Sequence, residues 1–139
     1  MTLRCRRARA SDAETLRALH VLTFPCDDHE DYLAGAWWIV WDGARPIAFA
    51  GCRPAITEDT SFYFSRCGVL PDYRGRGLQR VLLGKRIRYA RKRGLVAAIT
   101  TTYCHTTSAN NLIGAGFRLY DPVRPWGVEG TLYWRRTIQ

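Results

Sequence analysis

Ten residues in mid-chain, Val69-Leu70-Pro71-Asp72-Tyr73-Arg74-Gly75-Arg76-Gly77-Leu78, constrain the fold more than any other stretch. An apolar run stops there at a proline, and a turn with two glycines leads into a helix-like segment. Pro71 has no N–H to give to a ladder, so it ends a strand, while Gly75 and Gly77 permit positive φ and close approach of a backbone or ligand. The order strand, bend, helix is thereby set. Amides exposed by such a bend, with the unpaired N–H groups and positive dipole end of the helix that follows, make a site for a phosphorylated group. Arg74 and Arg76 add full charges. The same pattern also suits an ordinary surface turn or an arginine-rich RNA segment, and it is neither the dinucleotide G-x-G-x-x-G nor the Walker G-x-x-x-x-G-K-[ST].

The rest of the chain supplies the frame. Leu3 to Ala8 is predicted as a first strand, and Ser11-Asp12-Ala13-Glu14 is an S-x-x-E capping box that starts a helix carrying Leu16, Leu19, Val21 and Leu22. Pro25 ends that helix. Asp27 to Asp31 forms a loop or a short second helix. Trp37 to Trp41 and Pro46 to Pro54 read as strands joined at the turn signal Asp42-Gly43, and Ser61 to Val69 completes an antiparallel meander. Gly77 to Arg93 is predicted helical up to Gly94. Leu95 to Thr102, apolar and then threonine-rich, suits a central strand reached by a crossover. A helix over Thr106 to Ala115, a strand over Phe117 to Tyr120, a loop from Asp121 to Gly130 holding Trp126, and a strand over Thr131 to Ile138 follow. One mixed α/β domain over residues 1–139 is expected, with no repeat or linker.

A second segment, Ser108-Ala109-Asn110-Asn111-Leu112-Ile113-Gly114-Ala115-Gly116-Phe117, is a short helix ending at a glycine that returns into a strand. With the mid-chain turn it resembles the GNAT N-acetyltransferase superfamily, whose motif V-x-P-x-x-[RQ]-x-x-G-x-[GA] is followed by a helix ending in Gly-Phe. Val69, Pro71, Arg74 and Gly77 occupy the first motif, and Gly116-Phe117 the closing dipeptide. Two positions depart: Gln79 stands where the family prefers glycine or alanine, and Leu112 where many members carry a general-acid tyrosine.

The resemblance implies a GNAT-like fold, a mixed and mostly antiparallel central sheet flanked by helices. It implies acetyl-CoA as co-substrate and an amine acceptor. In that scheme Cys67, Gly68 and Val69 pair with the pantetheine arm, and Arg74, Gly75, Arg76, Gly77, Leu78 and Gln79 hold the pyrophosphate. His105 either bonds the pantetheine amides or sits at a strand end. Ser108 is either a cofactor contact or a helix cap. For acid–base work the candidates are Glu58, Asp59 and Tyr120, with the Asp27 to Asp31 acids, His29 and Tyr103 as further possibilities. No His/Asp spacing supports Cys67 or Cys104 as a nucleophile.

Composition agrees with a folded enzyme-sized chain: 139 residues, 47% hydrophobic and 12% aromatic, can bury one core. No apolar run approaches the ~20 residues that span a bilayer, and Met1 to Arg7 lacks an apolar signal stretch, so a cytoplasmic protein is expected. Five scattered cysteines read as reduced thiols. Cys26 with His29 and Cys104 with His105 lack metal-ligand spacing, so no metal is expected. The net charge of +9 is polarised. Nine basic residues fall between Arg74 and Arg93, and no Asp or Glu occurs from Tyr73 to Tyr120, whereas four acids crowd into Asp27 to Asp31. An anionic coenzyme would be drawn to the basic part and a cationic amine to the acidic loop. Lys85, Arg86, Arg88, Arg91, Lys92 and Arg93 are equally readable as a solvated helix face. The rival functions are a basic nucleic-acid-binding module, which leaves the paired glycine segments unexplained, and a catalytically inactive acyl-CoA-binding regulator. Both a monomer and a homodimer fit.

Overall fold

The computed structural model describes residues 2–56, 58 and 60–138. Its strands are β1 (Leu3–Arg7), β2 (Ala36–Asp42), β3 (Arg45–Pro54), β4 (Ser61–Val69), β5 (Ala97–Thr102), β6 (Arg118–Leu119) and β7 (Leu132–Thr137). The helices are α1 (Ala13–Thr23), α2 (Leu78–Lys92) and α3 (Thr106–Gly114). The strands follow the order β1-β2-β3-β4-β5-β7-β6 in a mixed sheet, so the expected α/β class is observed. The backbone divides into two compact units, Met1–Arg53 with Ser65–Leu82, and Pro54–Phe64 with Leu83–Gln139.

In the first unit, β1 and β2 pair antiparallel, as do β2 and β3, with Asp42 opposite Arg45 across the tight turn that Asp42-Gly43 foretold. Gly43 takes φ +59°, which the tight reversal needs. Ala36 to Val40 and Ile47 to Cys52 are buried continuously rather than alternately, the pattern of strands covered on both faces. Leu16 and Leu19 supply the buried stripe of α1, whereas Val21 and Leu22 lie exposed. The entry to α1 corrects the S-x-x-E reading. Asp12, not Glu14, makes the reciprocal bond: its Oδ2 accepts the Arg9 amide at 2.8 Å, and the Arg6 guanidinium of β1 grips both carboxylate oxygens at 3.0 and 3.3 Å. Glu14 is left outside, 4.0 Å from Arg17. A carboxylate held by a guanidinium and an amide outcompetes one in water, and both bonds hold the Asp12 pKa below the ordinary value.

In the second unit, β4 and β5 run parallel, with Ser61–Tyr63 set against Ala97–Ile99. β7 lies antiparallel to both β5 and β6. Ala97, Ala98 and Ile99 are buried, and the threonines that follow satisfy polar groups: Thr100 Oγ1 donates to the Phe64 carbonyl at 2.7 Å, and Thr102 Oγ1 accepts from Trp134 Nε1 at 2.9 Å. Phe64 packs edge-on against Phe117, and Phe62 stacks on Tyr89. Arg86 overturns its assignment to a solvated face. It is only 2% exposed, with its guanidinium 4.8 Å from the Phe64 ring centre, a cation–π contact that favours a weakly hydrated cation over lysine.

Candidate functional site

The glycine turn belongs to the first unit. The Leu70 amide donates to the Ile47 carbonyl at 2.9 Å, which ties the end of β4 to β3. Pro71–Tyr73 then forms one 3-10 turn with proline at its start, where a missing N–H costs nothing. Tyr73 is buried and its hydroxyl donates to Asp42 Oδ2 at the end of β2, so the turn is bolted to the β2–β3 hairpin. That carboxylate acceptor and burial raise the Tyr73 pKa. Arg76 lies over the Tyr73 ring at 4.9 Å and donates to the Asp72 carbonyl at 3.2 Å. Arg74 Nε donates to the Val69 carbonyl at 3.1 Å, and among the described residues its terminal nitrogens bond to nothing.

Gly75 and Gly77 adopt φ +78° and +76°, a region in which an L side chain is strained. A Cβ at either would meet nothing within 4 Å, so packing does not demand these glycines; the backbone path does. Among the described residues no backbone carbonyl accepts from the amides of Gly75, Gly77 or Leu78. Gly77 opens α2 by accepting from the Val81 amide at 3.2 Å, and the helix begins at Leu78 with Gln79 next and no acid in its first turn. The result is a turn whose amides have no backbone acceptor among the described residues, at a helix N-terminus beside two arginines. Such a cradle favours an anion through unpaired donors, the helix dipole and full charge together.

Gly68 answers a different demand. A Cβ there would lie 2.6 Å from Phe49 Cε1 and 2.6 Å from Thr23 Oγ1, so β4 approaches β3 and α1 too closely for any side chain. Cys67 and Val69, on either side, are partly exposed.

His105 and Ser108 lie in the second unit and are engaged with each other. His105 precedes α3, and its Nδ1 accepts the Ser108 amide at 3.1 Å, which places the proton of the neutral ring on Nε2. The helix cap is therefore His105 rather than Ser108. Leu112, at the position of the missing tyrosine, is buried in α3. Asp59 lies outside the described residues. Glu58 and Tyr120 come together, with the phenol donating to Glu58 Oε2 at 2.6 Å and Arg135 Nε 3.8 Å from Oε1. Burial and that carboxylate raise the Tyr120 pKa far above the ordinary value, which makes the phenol a reluctant proton donor.

The acidic segment of the first unit is a loop, not a helix. Asp27 Oδ2 takes a 2.8 Å bond from Arg66 of β4, whose guanidinium also covers Phe24. His29 Nδ1 lies 3.2 Å from the Tyr32 hydroxyl, and its ring centre is 4.4 Å from that of buried His20. Desolvation and the neighbouring His20 lower the His29 pKa. No local pattern announces the Tyr73–Asp42 and Arg66–Asp27 contacts, which join residues 31 and 39 positions apart. Among the described residues no group of three His, Cys, Asp or Glu could hold a metal ion, and no helix is long and apolar enough to cross a membrane.

Comparison with known proteins places this architecture. The acetyltransferase (GNAT) family model matches residues 6–117, and the chain belongs to that family. It is similar in fold to the ribosomal-protein-S18-alanine N-acetyltransferase of Escherichia coli, with TM-score 0.79 and 14% identity over 99% of this chain and 94% of that one. A GNAT-family acetyltransferase from Staphylococcus aureus Mu50 gives TM-score 0.80 and 13% identity over 99% and 100%. A Bacillus subtilis acetyltransferase solved in complex with CoA gives 0.77 and 17% over 99% and 100%. No curated protein matches the sequence significantly.

Proposed function

We propose that this acyltransferase is an N-acetyltransferase that moves the acetyl group of acetyl-CoA directly to a primary amine while both substrates are bound. The observation that carries the reading is the turn at Gly75 and Gly77. Both glycines are left-handed, the space beside them is open, and among the described residues no backbone carbonyl accepts from the Gly75, Gly77 or Leu78 amides. The diphosphate of the coenzyme would sit against the amides of Gly75 to Gln79, with Arg74 and Arg76 as counter-charges. Cys67–Val69 lie outside the three-residue ladder that β4 makes with β5 and would offer main-chain groups to the pantetheine arm.

The amine nitrogen forms the new N–C bond, the C–S bond breaks, and the thiolate leaves. An N–H of Gly68 or Val69 would polarise the thioester carbonyl as charge develops on its oxygen. An alkylamine of pKa near ~10.4 must lose a proton before it attacks, and a second proton must reach the thiolate.

Thiol release from acetyl-CoA, measured across a panel of amines, tests the activity. Arg74→Glu should weaken acetyl-CoA binding by about tenfold or more, the loss of a charge-assisted contact, whereas Arg93→Glu should change it less than about twofold. Binding without release for any amine would leave the regulator reading. Equal effects of the two substitutions would reduce the cradle to diffuse charge.

A further inference from the structure

A third guanidinium stands beside the glycine turn, on the β2–β3 hairpin of the same unit. Arg45 is the first residue of β3, and its Cζ lies 5.5 Å from the centre of the Tyr73 ring. Arg76, between the two left-handed glycines, lies 4.9 Å from the centre of that same ring. We propose that Arg45 and Arg76 together bind the ribose 3′-phosphate of the coenzyme, so that Arg45 makes this protein select coenzyme A over its 3′-dephospho form. The inference rests on the coenzyme reading above and adds to it a specificity residue outside the turn.

The hairpin carries the argument. Asp42 and Arg45 are direct partners in the β2–β3 ladder, so their side chains leave the same face of the sheet. Both meet Tyr73: the Asp42 carboxylate accepts from its hydroxyl, and the Arg45 guanidinium lies over its ring. Tyr73 is 6% exposed and its hydroxyl is tied down, so the ring is a fixed platform between the hairpin and the turn. Arg45 itself is exposed and forms no ion pair with a described residue. Arg76 donates to the Asp72 carbonyl at 3.2 Å, which holds its side chain beside the ring. The carboxylate that closes the hairpin, Asp42, is already committed to the phenol.

A single guanidinium over a tyrosine is ordinary packing, and one would cover this ring. Two on the same ring set like charges close together, a repulsion that a bound dianion offsets. The amides of Gly75 to Gln79, with Arg74, already suit the diphosphate. The coenzyme carries a further phosphate monoester on its ribose, one sugar ring removed from the diphosphate. Its three terminal oxygens can accept from two guanidinium forks at once, whereas a lysine at either position would offer a point charge without the fork.

The test is a calorimetric titration of the full chain with CoA and with 3′-dephospho-CoA at fixed ionic strength. The parent should bind CoA about tenfold or more tightly than the dephospho form. Arg45→Ala should weaken CoA binding about tenfold and leave dephospho-CoA within about twofold, so that the preference collapses; Arg45→Lys should restore part of it. The retained dephospho-CoA affinity reports that the variant is folded and its turn intact. Arg93→Ala, which removes the same charge elsewhere, should keep the parent's preference. A parent that binds the two ligands equally, a preference that survives Arg45→Ala, or an equal loss of both ligands in that variant would overturn the proposal, the last by making Arg45 a support of Tyr73 alone. A parent that binds neither ligand would sink the coenzyme reading, and this proposal with it.

Discussion

Gly68→Ala isolates the packing that fixes the strand before the glycine turn. The added methyl would sit 2.6 Å from Phe49 Cε1, against about 3.5–4.0 Å for a normal carbon contact. Phe49 is fully buried and cannot swing away, and Thr23 Oγ1, also 2.6 Å from the new atom, is held to the Leu19 carbonyl at 2.8 Å. Overpacking of this kind costs about 1–3 kcal/mol. Alanine returns ~0.5–1 kcal/mol through its smaller entropy loss on folding, leaving a net destabilisation of ~0.5–2 kcal/mol. With ~2.1 cal/mol/K of unfolding entropy per residue, a chain of this length should lose about 2–7 °C in Tm. Thermal unfolding by circular dichroism reads the shift. Gly84→Ala is the control of opposite sign: Gly84 lies inside α2 with nothing within 4 Å of its missing Cβ, so alanine should stabilise by ~0.5–1 kcal/mol. A Gly68→Ala protein as stable as the parent would refute the close-approach argument, whatever Gly84→Ala does.

Gly77→Ala meets no atom but must hold φ +76°, so it should cost about 1–2 kcal/mol in backbone strain and weaken acetyl-CoA binding; unchanged affinity in calorimetry would show that the turn tolerates another path. Tyr73→Phe removes the bond to Asp42 and should lower Tm and weaken acetyl-CoA binding while circular dichroism stays native, because the turn loses its tie to the hairpin. The Asp12 carboxyl is held below its ordinary pKa in the folded state, so its contribution is complete above about pH 4 and disappears as pH falls through the lowered folded value. The stability gap between parent and Asp12→Asn in urea unfolding should therefore be constant near neutrality and close in acid; a gap that widens in acid would contradict the Arg6 and Arg9 contacts.

Local signals made most elements readable. Pro71, Gly75, Gly77 and Gly94 act on their own residues' backbone, so strand end, turn and helix end fall where the punctuation predicts. The glycine turn was legible for the same reason: its glycines are required by φ, not by a distant neighbour. What escaped is set by partners far along the chain. Asp12 displaces Glu14 because Arg6 reaches it from β1, and Arg86 is buried because Phe64 offers a ring. The cross-strand meeting of Arg118 and Arg135 depends on the register of β7, which no local pattern announces. The pairing of Glu58 with Tyr120 joins two residues that the sequence offers only as separate candidates.

The strand order has a consequence for synthesis. β7 follows β6 in the chain yet stands between it and β5, so residues 118–119 have no ladder partner until residues 132–137 exist. A folding chain whose β7 has not yet docked presents the apolar Ala97–Ile99 segment of β5 as an open template for a neighbouring polypeptide, and closure of the β5–β7 ladder removes that edge.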